Sequence, residues 1–233
     1  MQSVDNRKAI TTILFDLDGT LLNTLGDLQA AVNHALTEYG YPIKTIEEVR
    51  LSVGNGVGKL MERVLPEGLK NPDYEPCLAS FREYYSRHLQ DRTVPYPGIP
   101  ELLEELKDRG YRLGIVSNKF DAAVKQLKED YFAETISVAI GESAGIRKKP
   151  APDCVRKALE ELRAETEEAV YVGDSDVDVA TARNSGLACI GVTWGFRGRQ
   201  VLEEAGADWI IEEPAAFLPL VEQQMAAGRK TAL

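Results

Sequence analysis

The sequence predicts an α/β fold: a doubly wound parallel sheet with helices on both faces and a small α-helical insertion after the first strand. Three observations predict it. Short apolar runs recur in "TILF", "YRLGIVSN", "TISVAIGE", "EAVYVGDS" and "LACIGVTW", and a helical pattern separates each from the next, which is the alternation of a parallel sheet. Between Asn23 and about Asp91 the periodicity is helical throughout, as in "LGDLQAAVNHALTEYG" and "PCLASFREYYSRHL", with no convincing strand. Finally, Asp16, Ser117 and Asp174 each fall at the end of an apolar run, and ligands of an open α/β sheet gather at the carboxyl ends of its strands. The core is therefore expected to be Rossmann-like and to span 1–22 and 92–233, with a helical cap over 23–91.

In "TILFDLDGTLLNT", Ile13, Leu14 and Phe15 read as a buried strand, so Asp16 and Asp18 emerge together at its carboxyl end. Two like charges in one small space are unfavourable unless a cation or a shared proton relieves them. Gly19 and Thr20 then turn the chain so that both carboxylates face one point. After the helical insertion, Pro95, Pro97 and Gly98 stiffen the return before another amphipathic helix. The two crossings, near Leu22 and Val94, would form a hinge. The strand "LGIVSN" ends at Ser117 and Asn118, and "GIRKKPAPD" places a basic cluster before a helix that opens near Pro152 and Asp153. In "YVGDSDVDVATARNSG" a strand ends in Asp174, and Asp176 and Asp178 fall on the first turn of the following helix, where acidic residues also complement the helix dipole.

The chain of 233 residues is 44% hydrophobic, enough to bury a sizeable core. Its net charge of −10 argues against a nucleic-acid or membrane surface, because anionic phosphate would be repelled. An anionic ligand must be met by local positive charge. Three cysteines without a CxxC spacing indicate neither a disulfide framework nor a zinc ribbon. The start "MQSVDNRKAI" has no apolar signal core and no later run is long enough to span a bilayer, so a reducing cytoplasm is expected.

A carboxylate can attack a phosphoryl group directly and form an aspartyl phosphate, provided the charge between nucleophile and substrate is neutralised. Asp16 is the expected nucleophile. Asp18 is placed to protonate the departing oxygen and later to take a proton from the hydrolytic water. Asp174, with Asp16 and the backbone carbonyl of Asp18, would complete an oxygen-rich magnesium site, and Asp178 would stand behind it, orienting a water or holding a lysine. Lys149 is the expected point charge on the incoming phosphate, with Arg147 and Lys148 solvated. Thr20, Ser117 and Asn118 complete the expected phosphate-binding set, although Ser and Asn are also ordinary helix caps. An isolated "DLDGT" is equally a strand end followed by an Asp-Gly turn.

The ordered set "DLDGT", "SNK", the lysine before Pro150 and "GDSDVD" resembles the haloacid dehalogenase-like hydrolases, and within them the phosphoglycolate phosphatase group with a helical cap after the first strand. The resemblance runs from about Ile13 to about Leu220. It implies Asp16 as nucleophile, Asp18 as acid and base, Ser117 and Lys149 on phosphate, and magnesium held by Asp16, Asp18 and Asp174. "VRLSVGNGVGKLMERVL" resembles the cap loop that meets substrate in that group. "GNGVGK" is not a nucleotide loop, since Val53 and Leu60 stand where that loop needs a glycine and a hydroxyl. Gly54, Asn55 and Gly56 instead suit a turn that approaches a ligand closely, with Lys59 offering charge to a substrate carboxylate or merely connecting two helices. His34 and His88, in cap helices, read as structural or exposed.

The expected activity is magnesium-dependent hydrolysis of a small phosphate ester, phosphoglycolate first, by a monomer or homodimer. A sugar phosphomutase or a pyrophosphatase of the same superfamily would share the aspartyl phosphate. A signalling receiver module would combine similar residues without an enzyme's turnover, but it is normally smaller and has no cap.

Overall fold

The computed structural model describes residues 9–230, with side chains as far as residue 223. Residues 1–8, on which the absence of an apolar leader was read, lie outside the described part. Six parallel strands form the sheet: β1 (Thr12–Phe15), β4 (Arg112–Phe120), β5 (Val138–Glu142), β6 (Ala169–Gly173), β7 (Ala188–Val192) and β8 (Trp209–Ile211). Their spatial order is β5-β4-β1-β6-β7-β8, so the chain winds outward from β1 to one edge and then crosses over to build the other. The switch falls beside β1. There the chain passes from β1 to β4 on one side and later crosses from β5 to β6 on the other, which opens a crevice above the carboxyl end of β1.

Alternation along the strands sorts the core into two layers. Ile13, Phe15, Ile115, Val170 and Val172 pack on one face, while Leu14, Val116, Tyr171 and Cys189 pack on the other. The first face is covered by α5 (Ile99–Asp108), α6 (Asp121–Phe132) and α10 (Phe217–Lys230), the second by α7 (Asp153–Leu162), α8 (Asp176–Ser185) and α9 (Arg199–Ala205). This double cover is why the strands read as continuous apolar runs. β8 is three residues long and carries no pattern of its own, so the sequence reading missed it. β4 also runs on to Phe120, past Ser117 and Asn118, after a shift in its register with β5 beyond Val116.

The insertion consists of α1 (Leu25–Glu38), α2 (Ile46–Ser52), α3 (Val57–Val64) and α4 (Tyr74–Arg87), packed around Val32, Leu36, Met61 and Phe81. Thr45 starts α2 with a reciprocal cap, its hydroxyl accepting from the Glu48 N–H while the Glu48 carboxylate accepts from the Thr45 N–H. His34 and His88 both stack on Tyr84, with centroids 4.3 and 4.1 Å away, and His88 Nδ1 lies 2.7 Å from Asp91 Oδ2.

Both crossings between insertion and core lie in one antiparallel ribbon of two short strands, β2 (Leu22–Asn23) and β3 (Val94–Pro95). Asp27, buried in the first turn of α1, clamps this ribbon. Its Oδ2 accepts from the backbone N–H of Arg92 and Thr93 and from the Thr93 hydroxyl, at 3.1, 2.9 and 2.7 Å. Replacing Asp27 with Ala leaves these donors unpaired and is expected to cost about 2–3 kcal/mol, the usual penalty for orphaning buried donors of a charged acceptor. Urea unfolding should show this as a lower midpoint, and an unchanged midpoint would mean the clamp contributes nothing.

Candidate active site

Asp16 follows β1 directly, and its N–H still donates to Val172 of β6 at 2.8 Å. The chain then turns sharply, with the Leu17 carbonyl accepting from the N–H of Thr20, Leu21 and Leu22. The turn needs Gly19: its φ is +89°, and a Cβ there would lie 2.5 Å from Asp174 Oδ2. Gly173, at the end of β6, is equally constrained, because a Cβ would meet the Asp178 side chain at 2.3–2.7 Å. Small residues thus let three carboxylates crowd together.

Asp16, Asp174 and Asp178 are all buried, and an oxygen from each lies within 4.8 Å of the others. Lys149 Nζ stands between two of them, 2.7 Å from Asp16 Oδ1 and 2.8 Å from Asp178 Oδ1, and also reaches the Tyr171 hydroxyl at 3.1 Å. The Asp178 oxygens are fully engaged, Oδ1 by Lys149 and Tyr171, and Oδ2 by the Ser175 N–H and hydroxyl. Asp174 Oδ2 accepts from the Phe196 N–H at 2.6 Å. Asp16 Oδ2 and Asp174 Oδ1 have no hydrogen-bond partner among the described residues. These are the oxygens left for a ligand.

One ammonium does not balance three buried carboxylates. Burial pushes the Asp16 carboxyl up from 3.8 to about 7, with Asp178 and Asp18 adding to the rise and Lys149 opposing it. Asp174 is pushed well above the ordinary carboxylate range, again by burial first and then by Asp178 and Asp16. For Lys149, burial favours the neutral amine, but Asp16 and Asp178 outweigh it and keep the ammonium charged. A hard divalent cation on Asp16 and Asp174 would relieve the remaining excess, and an all-oxygen donor set fits such an ion.

A partly open cleft of about 700 Å³ lies above these groups and is closed on its far side by the insertion. Asp16, Asp18, Ser117, Asn118, Lys149 and Asp174 all line it, and so do Gly54, Asn55 and Gly56 from the loop between α2 and α3. Three expected residues sit otherwise. Thr20 does not line the cleft; its carbonyl accepts from Trp194 Nε1, and its buried hydroxyl has no partner among the described residues. The Asn118 side chain is spent on bracing Lys149, accepting from its N–H at 2.7 Å and donating to its carbonyl at 3.0 Å. Lys59 points away from the cleft to Glu62, 2.6 Å off, because α3 turns it to the outer face.

Two charged residues of the cleft escaped the sequence reading. Lys119 is buried and pairs with Asp18 at 2.9 Å. Its signal was a lysine inside an apolar strand, where lysine is seldom found without a partner. Arg197, in the loop after β7, donates to the carbonyls of Leu51 and Val53 in the insertion. Arg50 of α2 reaches back to the Phe196 carbonyl, and Lys148, expected to be solvated, donates to the Asn55 carbonyl at 3.3 Å. Only the tertiary fold brings these positions together.

A paired-carboxylate centre at the switch point of a doubly wound sheet, under an inserted helical segment, defines a class of hydrolytic enzyme, and the comparisons with known proteins agree. A family model described as haloacid dehalogenase-like hydrolase matches residues 13–192. The chain belongs to that family. It is 33% identical to a phosphoglycolate phosphatase of Vibrio cholerae over 221 residues, which cover 92% of this chain and 98% of the relative. A crystal structure of a putative phosphoglycolate phosphatase from Lactobacillus delbrueckii superposes with a TM-score of 0.87 at 33% identity, covering 92% of this chain and 99% of that one. CbbY from Rhodobacter sphaeroides, solved with xylulose-1,5-bisphosphate, superposes with a TM-score of 0.70 at 28% identity, covering 88% of this chain and 95% of that one.

The electrostatics give a pH-dependent outcome. In the metal-free fold the Asp16 carboxyl sits at about 7 against 3.8 for the ordinary group, so its ionisation weakens the fold as pH rises through that window. A cation binds the ionised form and must displace a proton below it. Magnesium added to chelated protein should therefore raise the melting temperature more at pH 8 than at pH 5.5. An equal or larger rise at pH 5.5 would contradict the assigned cluster.

Proposed function

We propose that the chain is a magnesium-dependent phosphatase that hydrolyses a small phosphomonoester, phosphoglycolate first among candidates, through an aspartyl phosphate on Asp16. The observation that carries this reading is the pairing of Asp16 with Lys149 at 2.7 Å on the cleft floor, with Asp18 two residues further on. One carboxylate oxygen of Asp16 attacks phosphorus, the other being left for the metal, while the bond to the ester oxygen breaks and Asp18 gives the ester oxygen a proton. The ionised Asp18 then takes a proton from water as the water oxygen attacks the same phosphorus. The bond to Asp16 breaks and inorganic phosphate leaves.

Magnesium, bound by Asp16, Asp174 and the backbone carbonyl of Asp18, would supply charge neutralisation at the phosphoryl oxygens. Lys149 carries positive charge to the same place, and Asn118 fixes its backbone. Asp178 keeps Lys149 aimed. Ser117 lines the cleft, and its Oγ accepts from the Lys119 N–H at 3.2 Å, which leaves its hydroxyl proton for a phosphoryl oxygen. The insertion covers the cleft and limits bulk water during transfer.

Preference for an ester with a second anionic group is supported by Arg197. It lines the cleft and has no carboxylate partner among the described residues, its guanidinium resting on backbone carbonyls. That residue takes the part expected of Lys59. The names of the Vibrio and Lactobacillus relatives point to the same ester. A reducing cytoplasm fits the free cysteines Cys77, Cys154 and Cys189, all buried, and no described helix is long and apolar enough to cross a membrane.

Asp16→Asn should abolish turnover, because the amide keeps the shape and loses the nucleophile, and appreciable phosphate release by that variant would overturn the assignment. Arg197→Gln should raise KM for phosphoglycolate by about tenfold or more, the worth of one charge-assisted hydrogen bond, with a smaller effect on p-nitrophenyl phosphate. A panel that includes sugar phosphates and pyrophosphate checks the substrate. Equal effects of Arg197→Gln on every ester would remove the argument for a second anion.

A further inference from the structure

Lys119 takes no part in the reaction as written, yet its side chain is only 2% exposed. A buried ammonium is costly unless its donors are taken. Lys119 Nζ donates to both Asp18 oxygens, at 2.9 and 3.2 Å, and to the Tyr85 hydroxyl at 2.5 Å. It also lies 4.6 Å from the centre of the Tyr85 ring. The three residues come from three places: Asp18 from the turn after β1, Lys119 from β4, and Tyr85 from the last turn of α4 in the insertion. Tyr85 is fully buried and has no other hydrogen-bond partner among the described residues.

We infer that Lys119 is a positioning residue that aims the Asp18 carboxylate, and that Tyr85 makes this aim depend on where the insertion sits. A donor that grips both oxygens of a carboxylate restricts its rotamer and plane, and a lysine is too flexible to do so unless a third group holds it. Tyr85 is that group. Withdrawal of α4 would take the hydroxyl with it and free the lysine, so Asp18 is held in place only while the cleft is covered. The inference rests on Asp18 being the group that protonates the leaving oxygen.

The test compares two esters in a single turnover: p-nitrophenyl phosphate, whose leaving group needs no proton, and an alkyl phosphate, whose leaving group does. Asp18→Asn sets the reference and should slow the alkyl ester by about 10²-fold or more relative to the nitrophenyl ester. Lys119→Met should bias the two esters the same way by roughly tenfold and Tyr85→Phe by roughly threefold, as lesser losses of the same proton transfer. In the Asp18→Asn background, Lys119→Met should add no further bias, because the residues act as one unit. Tyr85→Phe keeps the ring and its volume, so it gives an answer even if Lys119→Met does not fold. Equal slowing of both esters by Lys119→Met, or bias added on top of Asp18→Asn, would overturn the inference while leaving the role of Asp18 intact. No bias in Asp18→Asn itself would overturn the proton-donor assignment, and the inference with it.

Discussion

Lys149 places one positive charge between Asp16 and Asp178, inside a wall of carboxylates that also includes Asp174. Away from water such a wall repels itself, and an ammonium with two carboxylates within 2.8 Å is what makes its burial tolerable. Much of the surrounding structure serves to put that ammonium there. Asn118 ties the Lys149 backbone to the end of β4, Tyr171 supplies a third contact from β6, and the Ser175 cap fixes Asp178 from the start of α8. Gly173 leaves the space that Asp178 fills. Removing the lysine would leave uncompensated charge in the core, so the ammonium that lines the cleft is also a requirement of the fold.

The same region links insertion to core through the backbone. Phe196 donates its N–H to Asp174 and accepts from Arg50 of α2, so a carboxylate of the buried cluster and a helix of the insertion share one residue. Arg197, next in sequence, holds the carbonyls of Leu51 and Val53. Lys148, from the segment before Pro150, reaches the Asn55 carbonyl. Basic side chains therefore rim the mouth of a cleft in a chain whose net charge is −10. The local field there differs in sign from the overall charge.

The sheet was legible because strands covered on both faces are apolar without interruption, and the helical insertion because its periodicity changes. The residues of the cleft floor were legible because each stands where an apolar run stops, as Asp16 and Asp174 do. What escaped was whatever depends on direction rather than position. Sequence spacing places Lys59 beside a flexible loop, but the rotation of α3 sends it to Glu62. It places Asn118 at a strand end, but the side chain's partner is a backbone some thirty residues downstream. Arg197 and Tyr85 carry no local mark, since their meaning comes from partners across the boundary between insertion and core.

The ribbon of β2 and β3 brings the two ends of the insertion side by side. A segment that departs and returns at one point can be lengthened, pared down or exchanged without re-registering any strand of the sheet. The carboxylate cluster at the sheet edge and the helices above it can therefore change independently of each other. Lys119 limits that freedom. A transplanted lid has to bring its own polar group to the lysine, or leave a buried cation one partner short beside Asp18, so only lids that fit this socket are interchangeable.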